Sequence, residues 1–86
     1  MYSLEIIPEI KKIFEKLQKK NPKQLEIIYK KITQILADPY HFKPLRGDMK
    51  GSRRVHIDSS FVLVYDIDEE NKKVRVLKYA HHDKAY

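Results

Sequence analysis

The sequence predicts an α+β fold in the order β-α-α-β-β-β. A helical hairpin packs on one face of a small, mainly antiparallel four-stranded sheet. Three observations carry this reading. Two apolar stripes at helical spacing stand side by side in the first half of the chain, with only Lys20-Asn21-Pro22 between them. Three β-rich runs follow, separated by short polar turns. A further short run, YSLEII, precedes the first helix.

Tyr2 to Ile7 alternates loosely and reads as a strand. Pro8 suits the first turn of a helix, where its missing N–H is not needed. Ile10, Ile13, Phe14 and Leu17 form one stripe, and Lys11, Lys12, Glu15, Lys16 and Lys19 take the opposite face. Asn21 caps the next helix with Pro22 at its first position. Leu25, Ile28, Tyr29, Ile32, Ile35 and Leu36 make its stripe, and Asp38-Pro39 ends it. Tyr40 to Gly51 is a loop and Ser52 to Ile57 a strand, followed by an Asp58-Ser59-Ser60 turn. FVLVYDID, Phe61 to Asp68, is the most apolar strand and belongs in the sheet centre. Glu69-Glu70-Asn71 turns the chain into the last strand, Lys73 to Ala80. His81 to Tyr86 reads as a polar tail. The first strand flanks the three-stranded meander, parallel or antiparallel to it. The helices cover one sheet face and leave the other to solvent or to a partner.

The 86 residues suit a single domain spanning 1–86. The chain has no cysteine, hence neither a disulfide nor a thiolate metal site. No apolar run approaches the roughly 20 residues needed to span a bilayer, and the N-terminus lacks the pattern of a signal peptide. A cytoplasmic location fits these features. The net charge of +6 favours anionic partners: nucleic acid, an acidic protein or a membrane surface.

The chemistry-bearing residues gather in two places. Residues 41–57 carry five basic groups, Lys43, Arg46, Lys50, Arg53 and Arg54, against one acid, Asp48. Period two in the strand from Ser52 sends Val55 and Ile57 toward the helices, and Arg54, His56 and Asp58 to the other face. A guanidinium and an imidazole then stand roughly 6–7 Å apart on one side, able to bracket a phosphodiester. The ordinary alternative is the solvated side of an amphipathic strand. The second place is the ending AHHDKAY. Its histidines can move protons near neutrality. Its Tyr86 can stack on a base or donate a proton. A frayed polar tail is the plain alternative. Adjacent histidines on an extended chain diverge, and with neither Cys nor an H-E-x-x-H pattern no metal or cofactor is expected.

The element order and four sequence words resemble the RelE/ParE superfamily of small toxins. Pro44-Leu45-Arg46-Gly47-Asp48, with Gly51 beyond, matches the family's PL-x-G loop. Arg53-Arg54-Val55-His56-Ile57 matches its basic strand, and Val62-Leu63-Val64-Tyr65 looks like its R-L-V-Y strand. Ala80-His81-His82-Asp83-Lys84-Ala85-Tyr86 is similar to its ending, G-H-R-x-x-V-Y. The resemblance implies a RelE-like fold and a toxin that cuts mRNA codons in the ribosomal A site. In that chemistry a 2′-hydroxyl attacks the adjacent phosphate and leaves a 2′,3′-cyclic phosphate. It implies His56 and His82 as an acid/base pair of unassigned order, with Arg54 facing the phosphorane and Tyr86 the base. Lys43, Arg46, Lys50, Arg53 and His81 would bind RNA. The implied partners are a RelB-like antitoxin, in a heterotetrameric or higher complex, and the ribosome with mRNA in its A site, with no membrane. Three positions depart from the pattern. Val62 stands where RelE proper has a phosphate-binding Arg, so that contact comes from elsewhere or is absent. Ser60 stands where the YafQ branch has Asp, and Lys43 where it has His, with His41 nearby. Two further functions share these features. One is a ParE-type inhibitor of DNA gyrase without nuclease activity, and the other is a non-catalytic basic RNA-binding module.

Overall fold

A computed structural model of the chain describes residues 1–44 and 51–81. The strands are β1 (Ser3–Ile6), β2 (Ser52–Ile57), β3 (Phe61–Asp68) and β4 (Lys73–His81). The helices are α1 (Pro8–Lys20) and α2 (Pro22–Ala37). The sheet order is β1-β4-β3-β2. β1 runs parallel to β4, and the other two pairings are antiparallel. β3 is central, as its apolar run requires, and β2 and β1 are the two edges.

Both helices begin at a proline, and Asn21 Oδ1 caps α2 by accepting from Gln24 N at 3.2 Å. Ile10 and Phe14 of α1 are buried with Leu25, Ile28, Ile32 and Ile35 of α2 against Val55, Ile57, Leu63, Tyr65, Val74, Val76 and Tyr79 of the sheet. Each fully buried Ile contributes about 1.5–3 kcal/mol. Tyr29, which the stripe assigns to the core, is 44% exposed and meets Phe14 edge-on at 6.0 Å. Gln24 takes an interior place that the stripe does not reveal, donating Nε2–H to the Tyr79 hydroxyl at 2.9 Å. A buried amide is tolerable there because its donor is satisfied.

β4 holds a bulge that period two does not foresee. Tyr65 pairs with Val76 but Val64 with Lys78, so Leu77 is the extra residue. Val74 and Val76 face the helices before the bulge, and Tyr79 does so after it. Strict alternation would have driven Lys78 into the core. The bulge instead turns Lys78 and Ala80 to the opposite face. Tyr79 then stacks on Phe61, centroids 5.1 Å apart, and His81 meets Phe61 edge-on at 5.5 Å. His81 is therefore the last residue of β4, not the first of a tail.

The sheet face away from the helices is less open than the sequence suggests. Val62 and Val64 lie on it and are fully buried, packed with Ala80. Long side chains at the positions registered beside them, Arg54, His56 and Lys78, can lay their stems over such a patch. Asp58 is absent from the strand face. It sits in the β2–β3 turn with φ 58°, a conformation that Asp tolerates better than most residues.

A polar knot ties the residue before β1 and the β3–β4 turn to the segment after α2. Glu69, in the β3–β4 turn, accepts from the Tyr2 hydroxyl at 2.7 Å and from the Tyr40 hydroxyl at 2.6 Å, and pairs with Lys72. Lys72 Nζ also lies over the Tyr2 ring at 5.4 Å. Deeper in, the Tyr65 hydroxyl donates to the Pro39 carbonyl at 2.6 Å, and burial pushes that phenol up to about 12. Donation from Lys72, then from Tyr40 and Tyr2, holds the Glu69 carboxyl down at about 2. A depressed folded pKa gives stability that is complete above the ordinary value of 4.5 and is lost as pH falls toward 2. Glu69→Gln should therefore flatten the decline of Tm over that window. Parallel Tm-versus-pH curves for the two proteins would show that the knot is not formed in solution.

Candidate functional site

Cross-strand register places the candidate side chains in rows on the face away from the helices. One row is Arg54–Val64–Lys78, and the next is His56–Val62–Ala80. Adjacent strands are about 4.8 Å apart, so Arg54 and Lys78 start about 10 Å from each other, with an apolar floor between them. The next rows toward the β3–β4 turn hold acids, and those acids are paired. Asp66 takes a two-point contact from Arg75, Nε at 2.9 Å and a terminal nitrogen at 3.0 Å. Glu5 pairs with Lys73 at 3.2 Å. The face is thus divided. The end nearest the β3–β4 turn is neutralised internally. The end nearest the β2–β3 turn carries Arg54, Lys78 and His56, with no carboxylate among the described residues of their rows.

Around the outer edge of β2 lies a cleft of about 350 Å³, lined by Lys31, His41, Phe42, Lys43, Arg54, Val55 and His56. Among the described residues, its ionisable lining is cationic or imidazole. Phe42 is half-buried and packs on the core, and His41 meets it edge-on at 5.0 Å. The 41–44 segment is held against β2 by Arg54 N–H donating to Lys43 O at 3.1 Å and by a bridge between Pro44 and Arg53. Gly51, at φ +95°, sets the turn into β2.

Arg53 departs from its sequence expectation. It shares the helix-side alternation of Val55 and Ile57. Its guanidinium donates to the Phe42 carbonyl at 2.6 Å and to the Tyr40 carbonyl at 3.3 Å, and lies over the Tyr40 ring at 5.1 Å. It holds the cleft wall in place. His81 also departs from expectation, because the β4 bulge puts it on the helix side, across the sheet from Arg54 and His56. Lys43, Arg54 and His56 do come together, in the cleft. Arg46, Lys50, His82 and Tyr86 lie outside the described residues. Sequence reasoning missed Lys78, hidden by the bulge, and Lys31 of α2. It noted His41 without assigning it. Val62, where an Arg would resemble RelE proper, is fully buried packing. Among the described residues, no group of three or more His, Cys, Asp or Glu converges to hold a metal. No described helix is long and apolar enough to cross a membrane.

Comparison with known proteins gives this arrangement its setting. A family described as ParE toxin of type II toxin-antitoxin system, parDE, matches residues 2–86. A protein of Methanocaldococcus jannaschii designated a candidate toxin, RelE4, is 46% identical over all of this chain and 92% of its own length. An uncharacterized protein of Methanosarcina mazei is 52% identical over the full length of both. Among solved structures, the toxin of the intact Escherichia coli RelBE toxin-antitoxin complex superposes with a TM-score of 0.81 at 27% identity, covering 94% of this chain and 96% of that one. The YoeB/ParE toxin from Agrobacterium tumefaciens gives 0.85 at 21% identity, over 93% and 98%, and speaks to the fold alone.

Arg53→Ala removes two donations to carbonyls and a ring contact. We expect it to lower unfolding free energy by about 1–3 kcal/mol in urea titrations. An Arg that only steers RNA would leave stability within about 0.5 kcal/mol of wild type.

Proposed function

The chain belongs to the RelE/ParE toxin family of type II toxin-antitoxin systems, and from that premise we propose that it is an endoribonuclease cutting mRNA in the ribosomal A site. The observation that carries this reading is the division of the sheet face. Arg54, His56 and Lys78 stand together over an apolar floor while the acids of that face are bound elsewhere. A phosphodiester laid there meets cations on two sides and an imidazole in the adjacent row.

The cut needs no group from outside the protein and RNA. The 2′-oxygen loses its proton to a base and attacks the neighbouring phosphorus. The P–O5′ bond breaks, and the 5′-oxygen takes a proton from an acid, leaving a 2′,3′-cyclic phosphate and a 5′-hydroxyl. His56 serves as one member of the proton-transfer pair, and His82 is the proposed second member. Arg54 and Lys78 stabilise the charge that builds on the phosphorane oxygens. Tyr86 is proposed to hold the base. Lys43, Arg46 and Lys50 supply backbone attraction, a salt-sensitive and sequence-independent effect. Outside the ribosome, a RelB-like antitoxin in a heterotetrameric or larger complex would cover this cationic face. A cytoplasmic location follows from the ribosomal substrate.

The matched family carries the ParE name, which favours one second reading: a gyrase inhibitor with the same fold and no nuclease site. Primer-extension mapping after brief expression separates the two. The nuclease reading expects codon-phased cuts within translated regions, and His56→Ala should slow them by about 10²–10⁴-fold, the usual contribution of a general acid or base. Inhibition of supercoiling by purified protein, with no mRNA cuts, would establish the gyrase reading instead.

A further inference from the structure

The cleft at the β2 edge is larger than the strand-face chemistry requires. Lys31 comes from α2, and His41 and Phe42 from the segment after it, so three elements build one recess beside Arg54 and His56. The backbone also contributes. Arg54 N–H points away from β3, toward Lys43 O. In an antiparallel edge strand alternate residues turn the same way, so the N–H and C=O of His56 face outward as well. The recess therefore combines cations, an outward main-chain N–H and an aromatic wall. Its volume of about 350 Å³ falls within the usual range for small-ligand sites, about 300–1,000 Å³.

We infer that this cleft is a second nucleotide subsite, which takes the nucleotide adjoining the one that is cut. Lys31, Lys43 and the His56 main-chain N–H hold its phosphate, and its base lies against the Phe42–His41 pair. This rests on the reading of the chain as an RNA-cutting toxin. The geometry gives the RNA a path. The scissile phosphate lies on the strand face between Arg54 and Lys78. The strand then passes over the edge of β2, and the neighbouring nucleotide drops into the recess. Aromatic contact with a base tolerates every base, so the subsite lengthens the footprint without imposing a sequence. The lysine and arginine side chains suit the anionic backbone and the flat aromatic wall suits a base, so charge and stacking together select a nucleotide.

The test uses the full chain and 2′-O-methyl RNA oligonucleotides of one, two and three residues, which bind but cannot be cut. Affinity is read by fluorescence anisotropy for wild type, Lys31→Ala and His41→Ala. Both side chains are at least partly exposed, and a melting curve checks that each variant is folded. Wild type should gain about tenfold in affinity from one residue to two, and each variant should lose most of that gain. On programmed ribosomes both variants should raise KM more than they lower kcat. A length gain kept in both variants, or absent from wild type, overturns the subsite. A wild type that shows the length gain, loses it in the variants, and yet cuts no mRNA leaves the subsite standing and sinks the nuclease reading instead.

Discussion

β2 is an edge strand that is held on both sides, and the candidate site depends on this. β3 pairs with its inner side, while the segment after α2 lies against its outer side through Arg54 N–H and the Arg53 guanidinium. An unprotected edge offers a row of unpaired backbone groups and invites chance pairing. Here the cover is short. It ends near Arg54 and opens the cleft where His56 begins. Tyr65, fully buried, anchors the same segment through Pro39, and Glu69 anchors it through Tyr40. Core, hairpin turn and site wall are thus one mechanical unit.

The β4 bulge makes the second contribution. One extra residue, Leu77, lets a strand with two different apolar faces serve the sheet. Val74 and Val76 reach the helices before it and Tyr79 after it, while Lys78 is delivered to the face that holds Arg54. The same shift takes His81 away from that face and lodges it on Phe61. A chain of this size has little interior to spare, roughly 60% of its unfolded surface. A bulge that feeds the core and charges the opposite face is an economical solution.

The element order, both helix starts and the β2 and β3 boundaries were legible in the sequence, because proline, Asn21 and period-two patterning each act locally. The placement of Arg54 and His56 on the face away from the helices was legible for the same reason. The contacts of Arg53 and the faces taken by Lys78 and His81 were not. Arg53 obeys the alternation that puts it on the helix side, but its carbonyl partners are eleven and thirteen residues away in the chain. Lys78 and His81 depend on a bulge, which leaves no trace in a hydrophobic pattern that can be read either way. Gln24 looks like a surface residue until Tyr79 arrives from the far end of the chain. Local rules failed wherever a long-range partner decided the outcome.

The account stands on an RNA 2′-hydroxyl attacking a phosphate held between Arg54 and Lys78. The most direct measurement replaces one A-site nucleotide of a ribosome-bound mRNA by its 2′-deoxy counterpart and follows cutting at that phosphate. The account predicts that the cut disappears at the deoxy position, persists at unmodified sites, and leaves a 2′,3′-cyclic phosphate there. Cutting that continues unchanged 3′ to the deoxy nucleotide would contradict it.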